Sequence, residues 1–167
     1  IAAKFAFPTQ PVVAMVGDGA MQMNNLAELI TIQKYWQQWA DPRLIVCVFN
    51  NQDLNQVTGE QRVMEGNPRF EASQQLPDVQ YARFADSLGL QGIYVDRPED
   101  LAASWQQALS ATRPVLLEVK TDPEVAPLPP HITLKQAKAF MSSMAKGDRG
   151  MTQVISDTAS QLLHSKG

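Results

Sequence analysis

A doubly wound α/β fold on a mainly parallel sheet is what this sequence predicts, and three patterns carry the expectation. The strand-like segments are short continuous apolar runs, as in strands covered on both faces. Between them lie segments of helical period. Polar clusters rich in Gly, Asp and Asn close the first two runs, where an open parallel sheet presents its ligand-binding edge. At 167 residues, 44% hydrophobic and 19% charged, the chain suits one globular domain with a single core.

The elements follow in order. Ala2-Ala3-Lys4-Phe5-Ala6 reads as the last turns of a helix and no methionine precedes it, so a piece of a longer polypeptide is expected. Pro11-Val12-Val13-Ala14-Met15-Val16 is a buried-strand pattern closed by Gly17-Asp18-Gly19. Met23, Leu26, Ala27 and Ile30 then fall at helical spacing, with Leu29 and Ile32 widening the stripe, and the helix should end near Asp41-Pro42. Leu44 to Phe49 is the second strand, closed by Asn50-Asn51.

From Gln52 to Pro77 no period is clear, and a long loop with a short helix inside is expected. Asp78 to Leu88 reads as a helix closed by Gly89, which can take the left-handed conformation. Gly92 to Val95 is a short strand. Asp96-Arg97-Pro98-Glu99 opens a helix with Leu101, Ala102, Trp105, Ala108 and Leu109 on one face, and Pro114 to Val119 is the last strand. A proline-rich turn covers Pro123 to Pro130. Thr133 to Gln136 has capping-box spacing, ahead of a stripe of Leu134, Ala137, Met141 and Met144. Residues 1–150 are expected to form the domain and 151–167 an amphipathic tail.

The chemistry gathers at two strand ends. If one helix joins the first two strands, Asp18 and Asn51 can face one site. A carboxylate oxygen and an amide oxygen are hard ligands, suited to Mg²⁺ or Ca²⁺. Gly17 and Gly19 let the backbone turn sharply and approach a ligand closely. The helix after Gly19 aims its free amides and its positive dipole end at the same place, so an anion bridged to a metal is favoured there. Either cluster alone is a common turn; the pair, at the ends of successive buried strands, is much rarer.

On these residues, Gly17-Asp18-Gly19 followed one helix later by Asn50-Asn51, the chain resembles the thiamine-diphosphate-dependent enzymes, whose cofactor domain is an α/β sheet of six parallel strands. The likeness runs from the first strand through the proline turn. It implies that Asp18 and the Asn51 side chain hold Mg²⁺, completed by the backbone carbonyl of Asp53. The backbone around Gly19, Ala20 and Met21 would meet the diphosphate. Pro129-Pro130-x-Ile132 and Gln136-Ala137-Lys138-x-Phe140 resemble the pyruvate oxidase branch, which places Gln56 and Val57 near the thiazolium ring and Glu60 near the substrate. A solvated loop carboxylate is the competing reading of Glu60.

The function this implies is decarboxylation of a 2-oxo acid such as pyruvate, followed by oxidation, with FAD, if used, bound by a domain outside this chain. Alternatives are an acetolactate-synthase-like carboligase or a non-catalytic assembly module of the same fold. A Mg²⁺-dependent phosphate-handling domain, with Asp18 as phospho-acceptor, is the reading outside the family. The resemblance places the activating glutamate in a missing domain of a neighbouring subunit, so a homodimer or homotetramer is expected and the chain alone should be inactive. The 32 residues between Asp18 and Asn51 exceed what is usual in the branch, with the excess around Tyr35 to Asp41.

Other classes are disfavoured. A net charge of −3 without a basic cluster argues against nucleic acid. No Gly-x-Gly-x-x-Gly follows a strand, so a dinucleotide site is not indicated. The single cysteine, Cys47, reads as a core residue in a reducing cytoplasm. His131 and His164 lack ligand spacing. The tail stripe of Met151, Val154, Ile155, Leu162 and Leu163 could meet a membrane surface, although Lys166 is the only basic residue after Arg149, and packing against protein is the favoured reading.

Overall fold

Apolar runs of five to seven residues build the sheet, as expected. The structure, a computed structural model, describes residues 1–125, 133–148 and 156. Strands β1 (Val12–Gly17), β2 (Leu44–Asn50), β3 (Gln91–Val95) and β4 (Val115–Lys120) form one sheet in the order β1-β2-β4-β3. Every pairing is parallel. Four strands thus stand among the described residues, against the six that the resemblance implies.

The described chain forms two compact units. One comprises Ile1–Asn51 and Asp78–Thr121, the other Gln52–Pro77 and the described residues from Asp122 onward. The 150/151 boundary expected from sequence lies outside the described residues, as do His131, His164 and all of the tail but Ser156.

In the first unit, helices α1 (Ala2–Ala6), α2 (Asp18–Ala20) and α3 (Leu26–Tyr35) lie in its first segment. A π-helical turn, Met21–Asn25, joins α2 to α3, so helical backbone runs from the end of β1 to Tyr35. The extra residue in such a turn shifts the helical phase. This corrects the expected stripe: Met21, Leu29 and Ile32 are buried, whereas Met23, Ala27 and Ile30 are exposed. One face of the sheet, with Leu44, Val48 and Leu116, packs against those buried side chains and against Tyr81 and Ala85. On the other face Ile45, Cys47, Ile93, Val115 and Leu117 pack with Ala108. Burial pushes the Cys47 thiol above its ordinary pKa, in keeping with a core residue.

β1 is an edge strand among the described residues, and its outward row is uncovered: Val13 and Met15 are 46% and 62% exposed. The segment read as an excess, Tyr35 to Asp41, is packed. The Phe5 ring stands edge-on to Tyr35 and Trp39, the buried Lys4 ammonium lies 5.6 Å from the Trp39 ring centre, and the Asp41 amide bonds the Pro8 carbonyl at 2.8 Å.

In the second unit the expected loop contains more helix than its sequence suggests. Here α4 (Asn55–Glu60) runs into a second π-helical turn, Gln61–Glu65, followed by α5 (Glu71–Gln74). The first unit resumes with α6 (Tyr81–Ser87), ended by Gly89 at φ +77 as predicted, and α7 (Leu101–Leu109). On α7, Ser104 and Ala108 are buried, while Ala102 and Leu109 face out, contrary to the expected stripe. Gly92 lets α6 approach β3: a Cβ there would stand 2.1 Å from the Ala82 carbonyl oxygen.

Last in order, α8 (Leu134–Ala145) belongs to the second unit and has the predicted capping box, Thr133 with Gln136. Its buried face is Ser143 and Met144; Leu134 and Met141 are exposed, so that stripe is also corrected. Among the described residues no helix is long and apolar enough to cross a membrane.

Candidate active site

Gly17 ends β1 and Asn50 ends β2, with Gly17 paired to Phe49 in the parallel ladder. Asp18 and Asn51, each one residue further on, therefore stand at the carboxyl ends of neighbouring strands. That is the shared edge expected from sequence, and the crevice outside such strand ends is where open parallel sheets bind ligands. Asp18 is buried, 3% exposed, at the first position of α2. Its Oδ1 accepts from the Gly19 amide at 2.9 Å, and its carbonyl accepts from the Met21 amide. Of the three residues expected to meet a diphosphate, Gly19 and Ala20 are in α2, and Met21 sends its side chain into the core.

Two residues that sequence reasoning missed fix this strand end. Tyr81 is fully buried; its hydroxyl donates to the Asp18 carbonyl at 3.3 Å and accepts from Gln22 Nε2 at 3.0 Å. Burial above all raises its pKa, with the Gln22 bond acting the other way. Glu118, also buried, accepts from Asn50 Nδ2 at 2.7 Å and from the Ala82 amide at 3.0 Å. The signal was a charged residue inside the apolar run of β4, which must find partners if buried.

Of the paired asparagines, Asn50 is the structural one. Its amide is held by Glu118 and by the Val79 carbonyl, the latter at 3.3 Å. Its Oδ1 is buried without a hydrogen-bond partner among the described residues. Asn51 is half-buried. A hard cation fits this donor set: a buried carboxylate on one strand end, an amide side chain on the next, and an orphaned acceptor oxygen beside them in sequence. Among the described residues no three His, Cys, Asp or Glu side chains gather as a metal cluster, so any metal here depends on such mixed donors.

In the second unit, Gln52 takes φ +58, the one non-glycine residue with positive φ among those described. Left-handed backbone is strained for such a side chain and gathers at functional sites. The Asp53 carboxylate is committed elsewhere: Oδ1 pairs with Arg69 Nη2 at 3.1 Å and Oδ2 accepts from Thr58 Oγ1 at 3.3 Å. Asp53 also forms an antiparallel bridge with Gln75, whose hydrogen bonds are made by the neighbours Gln52 and Leu54. On α4, Gln56, Val57 and Glu60 are exposed together, Gln56 and Glu60 one turn apart, while Thr58 is buried.

Known proteins bear on this arrangement. The family described as thiamine pyrophosphate enzyme, C-terminal TPP binding domain, matches residues 1–119. YdaP of Bacillus subtilis (strain 168), which carries the name of a thiamine pyrophosphate-containing protein, is 36% identical over 146 residues, covering 87% of this chain and 24% of that protein. The mitochondrial acetolactate synthase catalytic subunit of Saccharomyces cerevisiae is 30% identical over 129 residues, covering 77% of this chain and 18% of the subunit. The chain thus spans about a quarter or less of these relatives. Among solved structures, the thiamine diphosphate-dependent 4-hydroxybenzoylformate decarboxylase of Rhodococcus jostii RHA1 shares the fold, with a TM-score of 0.62 over 73% of this chain and 22% of that one, at 22% identity.

Proposed function

Because the chain belongs to the thiamine pyrophosphate enzymes, as their C-terminal cofactor-binding domain, we propose that the full-length protein decarboxylates a 2-oxo acid such as pyruvate and joins the product to a second 2-oxo acid. The observation that carries the reading is the buried Asp18 carboxylate at the end of β1, beside the strand end that leads into Asn51. We assign Asp18 and Asn51 to Mg²⁺, with the backbone carbonyl of Asp53; the Asp53 side chain is already taken by Arg69 and Thr58. The backbone of Gly19, Ala20 and Met21 would meet the diphosphate, with Gly17 leaving room for close approach. When bound, thiamine diphosphate supplies the electron sink that loss of CO₂ requires.

The remaining roles fall to α4. Gln56 and Val57 would line the cofactor ring, and Glu60 would orient the substrate. The protein would work in the cytoplasm as a homodimer or homotetramer, since the family's activating glutamate comes from a neighbouring subunit. The fate of the two-carbon unit follows the relatives, among which acetolactate synthases recur. Oxidation is the second reading, favoured by Pro129-Pro130-x-Ile132 and Gln136-Ala137-Lys138-x-Phe140.

The test uses full-length protein with thiamine diphosphate, Mg²⁺ and pyruvate. Release of CO₂ with formation of acetolactate is expected. Reduction of an added electron acceptor without acetolactate would favour the oxidase reading, and no CO₂ in either assay would overturn both.

A further inference from the structure

α4 has little to hold it by apolar packing. It is six residues long, and its one buried residue is the polar Thr58. Directly after it, two residues beyond Glu60, comes Arg62, with a side chain only 3% exposed. The Arg62 guanidinium grips Asp148 through two hydrogen bonds of 2.7 Å, Nε to Oδ2 and Nη2 to Oδ1. The Asp148 side chain is fully buried, and its Oδ2 also accepts from the Arg69 amide at 3.3 Å. Two residues earlier, Lys146 Nζ donates to the Gly66 carbonyl at 2.7 Å and to Asn67 Oδ1 at 3.0 Å. Gly66 is left-handed at φ +64, and a Cβ there would stand 3.1 Å from the Ala139 carbonyl oxygen, so α8 meets this turn backbone to backbone.

The segment that follows α4 is therefore held at a guanidinium, a carbonyl and an amide by the residues that end α8. We propose that Asp148, Lys146 and Arg62 form a clasp through which α8 positions α4, and with it Gln56, Val57 and Glu60, for the reaction. These are positioning residues. The role of α4 in the reaction rests on the function proposed above; the clasp itself does not. A buried ion pair adds little net stability, because desolvation offsets the attraction. Its bidentate geometry does fix direction, which a single point contact cannot. A short polar helix whose placement matters needs this kind of restraint.

The test compares full-length protein with its Asp148→Asn, Lys146→Gln and Arg62→Lys variants. Hydrogen exchange of amides 55–65 should accelerate on the order of tenfold or more in Asp148→Asn, with the sheet amides unchanged. Cofactor affinity by calorimetry should fall only modestly, since Gln56 and Val57 are two contacts among several, while kcat for pyruvate at saturating cofactor falls by up to about 10²-fold, the effect of a small misplacement at a reacting centre. Arg62→Lys keeps the charge and loses the fork, and should move both readouts the same way. Lys146→Gln removes an exposed charge without leaving a buried one, so it serves if Asp148→Asn does not fold. Unchanged exchange at 55–65 in Lys146→Gln and Arg62→Lys would overturn the clasp, as would an activity loss fully explained by weaker cofactor binding. If the parent protein does not turn over pyruvate, the proposed function fails and the exchange measurement still decides the clasp.

Discussion

A carboxylate as buried as Asp18 is costly unless a cation or several donors compensate it. In the full-length protein Asp18→Ala should therefore abolish Mg²⁺-dependent binding of thiamine diphosphate, and Asn51→Ala should weaken it strongly. Calorimetry with the metal present measures both; normal affinity in the Asp18 variant would remove the basis of the assignment. A second carboxylate, Asp41, behaves differently. The Arg43 guanidinium, bonded to it through Nε and Nη2, is the main cause that lowers its pKa from 3.8 to about 2. The folded state thus binds this proton less readily than the unfolded chain. Its contribution to stability is complete above the unfolded value and fades as the pH falls from about 4 towards 2. Urea unfolding across that range should show a shallower acid loss in Asp41→Asn than in the parent.

At the scale of the element, Glu118 ties three pieces together: β4, which carries it, the end of β2 through Asn50, and the first turn of α6 through the Ala82 amide. Glu118→Ala should lower stability by roughly 1–3 kcal/mol, the usual effect of stranding buried polar partners, and denaturant titration would measure it. The four strands were legible because their apolar runs are too short for helices and are bounded by Gly, Pro, Asp or Asn, and the Thr133 box because its spacing is local. The faces of the helices were less so. Met23 and Ile30 follow the ideal helical repeat, but the π-helical turn at Met21–Asn25 breaks that repeat, which composition does not signal. α4 and its π-helical extension were hidden for a different reason. They are anchored by polar contacts, Thr58 with Asp53 and Gln74 and Arg62 with Asp148, the last pair 86 residues apart, and no hydrophobic stripe announces them. The edge carrying Asp18 and Asn51 was readable because both motifs sit where strands stop. Tyr81 was not, since it looks like ordinary packing until its hydrogen-bond partners are known; Glu118 stands out as a charge within an apolar run, but its partners Asn50 and Ala82 lie far off in sequence.

For the whole molecule, the relevant fact is the share of its relatives that the chain represents, 24% of YdaP and 18% of the yeast subunit. The resemblance puts the activating carboxylate in another domain and another subunit, so these 167 residues expressed alone should bind the cofactor poorly and release little or no CO₂ from pyruvate. Substantial turnover by this chain in a CO₂-release assay would be incompatible with that reading. The open side of β1 has a practical consequence for such a preparation. A strand whose outer hydrogen-bonding edge pairs with no other strand among the described residues, bearing Val13 and Met15 in an exposed row, is a template on which a second molecule can zip up. The weight-average mass of the purified chain from light scattering should therefore rise with concentration, and Met15→Lys, which puts a charge in the middle of that seam, should hold it at the mass of one chain.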